Sequence, residues 1–346
     1  MSRSKNSALE MSRRKFLAAS LGAGGGLLFA QEPASGADQK EGPAQPKGKA
    51  QIAIALDLEM ARNFPRWEDT QWDYEKGNLN DTAKTYAVEA ARRVKAHGGI
   101  IHFFLVCRAL EQENVDWLKE IIRTGHAVGN HTYDHVYIRA ATLDEIQYRF
   151  KRAPWLVEGK NPREVIQDNI RLANAAMKSR LGIEPAGFRA PGGFATGLIP
   201  RPDLQQMLLD FGFKWVSTLY PAHPNSNPPG TPPTADLFAA IVKAQEAAQP
   251  FFYPSGLLEI PMAPLSDIVA FRNGRWKLED FLKGIRFNME WAIEHGAVFD
   301  FLSHPAVLSA MDPEFQAIEL ICELTKQAAD RAEIVSLDTI AQRMPR

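Results

Sequence analysis

The chain has 346 residues, 45% of them hydrophobic, with 40 basic and 41 acidic side chains and a formal net charge of -1. That apolar content supports a sizeable core, and the balanced charge excludes the basic footprint of a nucleic-acid binder and any polybasic membrane-surface run. Residues 1–37 hold five basic and two acidic side chains, so the rest of the chain is mildly acidic, at -4. The two cysteines, Cys107 and Cys322, lie far apart and outside any C-x-x-C spacing. Cys107 falls in an apolar run and reads as a core residue, and sequence alone supplies no Cα separation on which to pair it.

The chain opens on an export signal. Ser12-Arg13-Arg14-Lys15-Phe16-Leu17 precedes a short, glycine-rich apolar stretch, and Ser35-Gly36-Ala37 forms a small-x-small exit. The adjacent arginines followed by Phe16 and Leu17 resemble a twin-arginine signal, with cleavage after Ala37. The stretch is too short and too rich in glycine for a membrane span. Residues 38–50 are polar and rich in Pro, Gly and Lys, the composition of a flexible tether. One folded domain is expected over 51–346.

Within that domain, apolar runs alternate with amphipathic stretches. Strands are predicted at 52–58, 100–107, 127–130, 214–218, 257–262, 297–302 and 334–337. Helices are predicted at 82–96, 114–123, 143–152, 163–181, 203–210, 278–294 and 313–331, many closed by Gly or Pro. The alternation implies right-handed βα units around a parallel sheet, and about seven units suit a barrel. Two segments break the pattern. Residues 62–78 form a polar loop carrying Phe64, Trp67, Trp72 and Tyr74, and residues 221–255 are Pro-rich at both ends around one helix. Rings beside carboxylates suit sugar binding as well as they suit pinning a loop to the body, so Trp67, Trp72 and Tyr74 are candidate substrate contacts.

The chemistry concentrates at four places. In Asn130-His131-Thr132-Tyr133-Asp134-His135, two imidazoles four residues apart can reach one metal ion. Asp57 and Glu59 end the first strand, and alternation points both to one face. Two such acids are costly together unless they bind a cation or share a proton, and in a barrel of βα units the strand C-termini form the active-site mouth. Phe188-Arg189-Ala190-Pro191-Gly192-Gly193 supplies a permanent positive charge, and Leu302-Ser303-His304-Pro305 a side chain whose ordinary pKa suits proton donation near neutrality.

These motifs, in this order and spanning roughly 51–340, resemble the polysaccharide deacetylase (NodB-homology) family. The resemblance implies a deformed (β/α)7 barrel and one divalent metal, usually zinc. It also implies hydrolysis of acetyl groups, N-acetyl in preference to O-acetyl, from a carbohydrate polymer or oligomer such as peptidoglycan or a chitin-like glycan. Carried over residue by residue, it makes His131 and His135 metal ligands with Glu59 completing the triad, Asp57 the base, Arg189 its orienting partner and His304 the proton donor. Pro191 and Gly192 then line the substrate site. The D-x-E form of the first motif resembles the allantoinase-like and peptidoglycan deacetylase branch. Aligned instead on the commoner T-F-D-D motif, Glu59 falls at the base and Met60 at the ligand. Val216 stands where many members carry an acid behind the arginine. Two other readings follow from these features: a cyclic amide hydrolase, and a carbohydrate-binding barrel without metal.

Overall fold

The structure is a computed structural model that describes residues 48–70, 76–223 and 227–345. The export signal, most of the tether, Trp72 and Tyr74 lie outside the described residues. The expected tether ends slightly earlier than 50, because Ala50 is fully buried as the first residue of a strand.

Among the described residues, nine strands form one sheet: β1 Ala50–Leu58, β2 Ile101–Leu105, β3 Ala127–Asn130, β4 Gly187–Phe194, β5 Trp215–Leu219, β6 Phe251–Phe252, β7 Leu258–Glu259, β8 Val298–Ser303 and β9 Ala332–Ile334. Their order is β6-β7-β5-β4-β3-β2-β1-β8, and every pairing is parallel except the short β6–β7 one. Near its start β1 pairs with β9 on the edge that β2 occupies further along. The sheet curls into the deformed barrel that the alternation implies. The ladder from β6 to β8 is open at its ends, and the segment after β7 spans the gap. Ile260 N donates to Val216 O at 2.8 Å, Met262 N to Leu219 O at 3.0 Å, and Ala263 N to Asp300 O of β8 at 2.9 Å.

Strand alternation sorts the side chains into two environments. Ile52, Ile54, Leu56 and Leu58 point outward into a core shared with the helices Asp81–Ala96, Leu278–His295 and Gln316–Ala328. Ala53 and Ala55 point inward, where they pack with Phe104, Trp215, Leu258 and Leu337. The terminal helix Leu337–Arg343 belongs to this inner cluster, and its Asp338 accepts the Trp215 Nε1 hydrogen bond at 2.8 Å. Leu337 was expected to end a strand. Instead the Ser336 hydroxyl accepts from Thr339 N at 3.2 Å, caps a helix, and confines β9 to three residues.

Three further departures have local causes. The expected helix over 143–152 splits into Leu143–Ile146 and Tyr148–Arg152, because Gln147 is extended and spends its amide on Asp134 O and Arg149 N. The helix expected from 313 starts at Gln316, where the Asp312 carboxylate accepts from Gln316 N and Ala317 N, both at 2.8 Å. A π-helical turn, Ile268–Asn273, occupies a stretch for which periodicity predicts nothing. Cys107 and Cys322 are both buried and unpaired. No described helix is long and apolar enough to cross a membrane.

Candidate functional site

A cavity of about 150 Å³ opens above the inner apolar cluster, where the strands end. Asp57, Glu59, His131, His135, Gly192 and His304 line it, so six sequence-predicted residues from four separate motifs converge on one space. Arg189 lies directly beneath. Pro191 is buried outside the lining, and Trp67 is 45% exposed with the Arg275 guanidinium 4.6 Å over its ring.

The floor is a buried polar layer drawn from four strands. Arg189 of β4 is fully buried, with its guanidinium 4.3 Å over the Phe104 ring. It donates to Asp57 Oδ1 of β1 at 3.3 Å, to Ser217 Oγ of β5 at 3.2 Å, and to Asp300 of β8. The acid missing at Val216 is therefore supplied from another strand, because Val216 points outward into an apolar cluster while Ser217 points in. Burial pushes the Asp300 carboxyl up to about 6, against the attraction of Arg189. Asp300 had a sequence signal that went unread. In Val298-Phe299-Asp300-Phe301-Leu302 it shares the inward register with Val298 and Leu302.

The histidine pair sits on a loop rather than a helix. Thr132 and His135 both have left-handed backbones, with φ of 62° and 60°, a costly conformation for side chains branched or bulky at Cβ. Side chains hold the loop there. Asn130 Oδ1 accepts from Thr132 N at 2.7 Å, Asn169 Oδ1 accepts from Tyr133 N and Asp134 N at 2.9 and 2.8 Å, and Thr132 Oγ1 accepts from Val136 N at 3.0 Å. His131 Nδ1 lies 2.9 Å from the Arg189 carbonyl, so that nitrogen carries the proton and Nε2 faces the cavity with its lone pair. Burial pushes the His135 pKa down to about 4, against the pull of Glu59, and keeps the ring neutral.

Glu59 stands one residue beyond β1 and reaches both rings. Its Oε2 lies 2.9 Å from His135 Nε2 and 3.5 Å from His131 Nε2, yet this buried oxygen accepts no aligned hydrogen bond. Burial opposes its ionisation, but His135, Lys76 and His131 outweigh that and hold the carboxyl well below its usual range. Among the described residues, the ligating atoms of Glu59, His131 and His135 lie within 4.8 Å of one another. An orphaned buried carboxylate oxygen between two imidazole nitrogens is a donor set that fits a divalent cation, zinc included. Met60, the ligand in the other alignment, lines a separate pocket with Phe64 and Asn80.

Two partners had no sequence signal. Lys76, buried at the end of the aromatic loop, donates to Glu59 Oε1, and its own carbonyl accepts from Met60 N at 3.1 Å. Asp267 lies behind His304, accepting from His304 N at 2.7 Å and approaching Nδ1 at 2.9 Å. Burial works against protonation of His304, but Asp267 outweighs it and raises the pKa above the ordinary histidine value. His304 Nε2 is thereby turned toward the cavity, 3.6 Å from Glu59 Oε1. Gly193 (φ 60°) permits the lining to close up, since a Cβ there would meet Met262 at 2.7 Å and Tyr220 at 2.9 Å.

The family model described as polysaccharide deacetylase matches residues 74–207. A search of curated protein sequences returns no match. Solved structures share the fold. A Mycobacterium smegmatis protein described as a polysaccharide deacetylase superposes with a TM-score of 0.57 at 17% identity, over 87% of this chain and 92% of that one. A Pseudomonas aeruginosa PAO1 protein of the same description gives 0.57 at 14%, over 84% and 89%. Puue allantoinase gives 0.58 at 14%, over 90% and 97%. At such identities the likeness is one of fold, and the sequence match to the family contains His131, His135 and Arg189 but neither the β1 acids nor His304. Residues 74–207 thus match the polysaccharide deacetylase family model, within a barrel of the kind that these solved structures share.

Proposed function

We propose that this domain removes acetyl groups, N-acetyl in preference to O-acetyl, from a glycan such as peptidoglycan or a chitin-like polymer, and that Glu59, His131 and His135 hold one divalent metal for the purpose. The observation that carries the reading is the orphaned Glu59 Oε2 between two histidine Nε2 atoms, in a cavity that also presents a second acid and a histidine whose pKa is raised. A bound divalent ion supplies Lewis acidity, acidifying water and polarising an acyl oxygen.

The chain's own residues do the rest. Asp57, oriented by Arg189, takes the proton of the attacking water. Arg189 stays in place because Asp300 and Ser217 fix its other terminal nitrogen. His304, whose protonated form Asp267 favours, delivers a proton to the departing amine or alkoxide. A cavity of about 150 Å³ accepts a group the size of benzene, enough for an acetamido group, so the remainder of a polymer stays outside. Export through the twin-arginine-like signal places the enzyme where such polymers occur.

The test is acetate release from a panel of N-acetylated chitin oligomers, peptidoglycan and O-acetylated xylan, with and without added zinc. Release from the first two that depends on zinc and exceeds release from xylan is expected. No release from any of them, or release indifferent to chelator, overturns the reading.

A further inference from the structure

Arg272 lines the same cavity and has no task in the chemistry described. It lies on the π-helical turn Ile268–Asn273, whose N-cap is Asp267, the residue that holds His304. The side chain is half-buried, and its guanidinium makes no hydrogen bond or ion pair with any described residue. Among the described residues, the two carboxylates that act on it already hold other partners. Asp267 accepts from His304 N, His304 Nδ1 and Ile268 N, and Glu59 Oε1 accepts from Lys76. The positive charges of Arg62 and of Lys76, which lines the same cavity, add repulsion. Burial lowers its pKa in spite of the Asp267 and Glu59 charges, as expected of a cation stripped of water without a partner.

A half-desolvated guanidinium with further positive charge near it is costly unless something anionic completes it. We propose that Arg272 is the specificity-determining residue for a carboxylate on the substrate, placed on the fragment that leaves as amine or alcohol. The side follows from position: Arg272 shares its turn with Asp267, and His304 serves the leaving group. The planar guanidinium suits a bidentate carboxylate, and the positive charges of Arg62 and Lys76 favour the same anion. This inference rests on the deacetylase reading for its choice of fragment, but not for the binding itself. The substrate class it names is an acetylated compound whose leaving fragment carries a carboxylate, preferred over a wholly neutral one.

The test compares two matched probes, 4-acetamidobenzoate and the neutral 4-acetamidobenzamide, by calorimetric titration of the full chain, its Arg272→Met and Arg272→Gln variants, and Arg272→Lys. A charge-assisted hydrogen-bonded pair supports a preference of about tenfold to hundredfold for the anion. Wild type is expected to show it, both neutral replacements to bring the ratio of the two affinities to about one, and Arg272→Lys to keep part of it. Equal or undetectable binding of the two probes by wild type overturns the proposal, as does a preference that survives in whichever neutral variant folds. Acetate release from both probes is followed separately. Preference for the anion without acetate release sinks the deacetylase reading and leaves Arg272 in its role, whereas acetate release without preference does the reverse.

Discussion

Asp57 and Glu59 both face the cavity, and the proposed chemistry gives them different jobs that substitution separates. Asp57 Oδ2 is 3.6 Å from His131 Nε2 and its Oδ1 receives Arg189, so one oxygen is committed to orientation. Glu59 Oε2 touches both histidine nitrogens and nothing else satisfies it. Asp57→Asn is therefore expected to retain a full equivalent of zinc and to lose about 10²–10⁴ in turnover, the usual cost of a missing general base. Arg189 keeps Asp300 and Ser217 in that variant, so stability changes little. Glu59→Gln is expected to weaken zinc by more than the roughly 10–100-fold typical of second-shell changes. It also removes the charge partner that Glu59 provides to Lys76, whose side chain is only 6% exposed, and breaking a buried pair costs about 3–5 kcal/mol. Glu59→Gln with Lys76→Met removes both partners, so the double variant is expected to regain stability without regaining metal. The assay is zinc per chain by atomic emission, beside kcat and urea unfolding for each variant. A zinc-replete, inactive Glu59→Gln together with an active Asp57→Asn would refute the assignment and leave the metal with two histidines and another third ligand.

His102 provides a test of the barrel interior. It is buried between Phe104 and Trp215, with neither ring nitrogen hydrogen-bonded, and burial lowers its pKa from 6.5 to about 4. The folded state therefore holds this ring neutral, and stability present above pH 6.5 is lost as pH falls toward 4. Between pH 7 and pH 5 the loss due to His102 is about 2 kcal/mol, and His102→Phe should remove that part of the slope in urea unfolding at the two pH values; an unchanged slope would mean the ring is hydrated or paired. For export, Arg13→Lys with Arg14→Lys should retain the protein inside the cell if the twin-arginine route carries it. Undiminished appearance outside, read by fractionation and immunoblot, would assign the signal to another route.

Much of the barrel was legible because period-2 and period-3.6 apolar patterns are local properties of the chain. The strands at 52–58, 127–130 and 297–302 and the helix at 163–181 lie within two residues of the observed elements for that reason. The motif residues were legible too, since Asp57, Glu59, His131, His135 and His304 each stand at a strand end or in the loop following one. What escaped was every contact between segments remote in sequence. Nothing near Arg189 announces that Asp300, 111 residues on, will replace the acid missing at Val216. Nor does anything near His304 point back to Asp267, or anything near Glu59 to Lys76 across the aromatic loop. The helix capped by Ser336 and the break at Gln147 escaped because single side-chain hydrogen bonds outweighed weak local propensity. The amino-acid pattern by itself determined the elements and the residue types at the barrel mouth. Only the curl of the sheet, which brings inward registers of β1, β4, β5 and β8 around one lumen, decided which charges meet there.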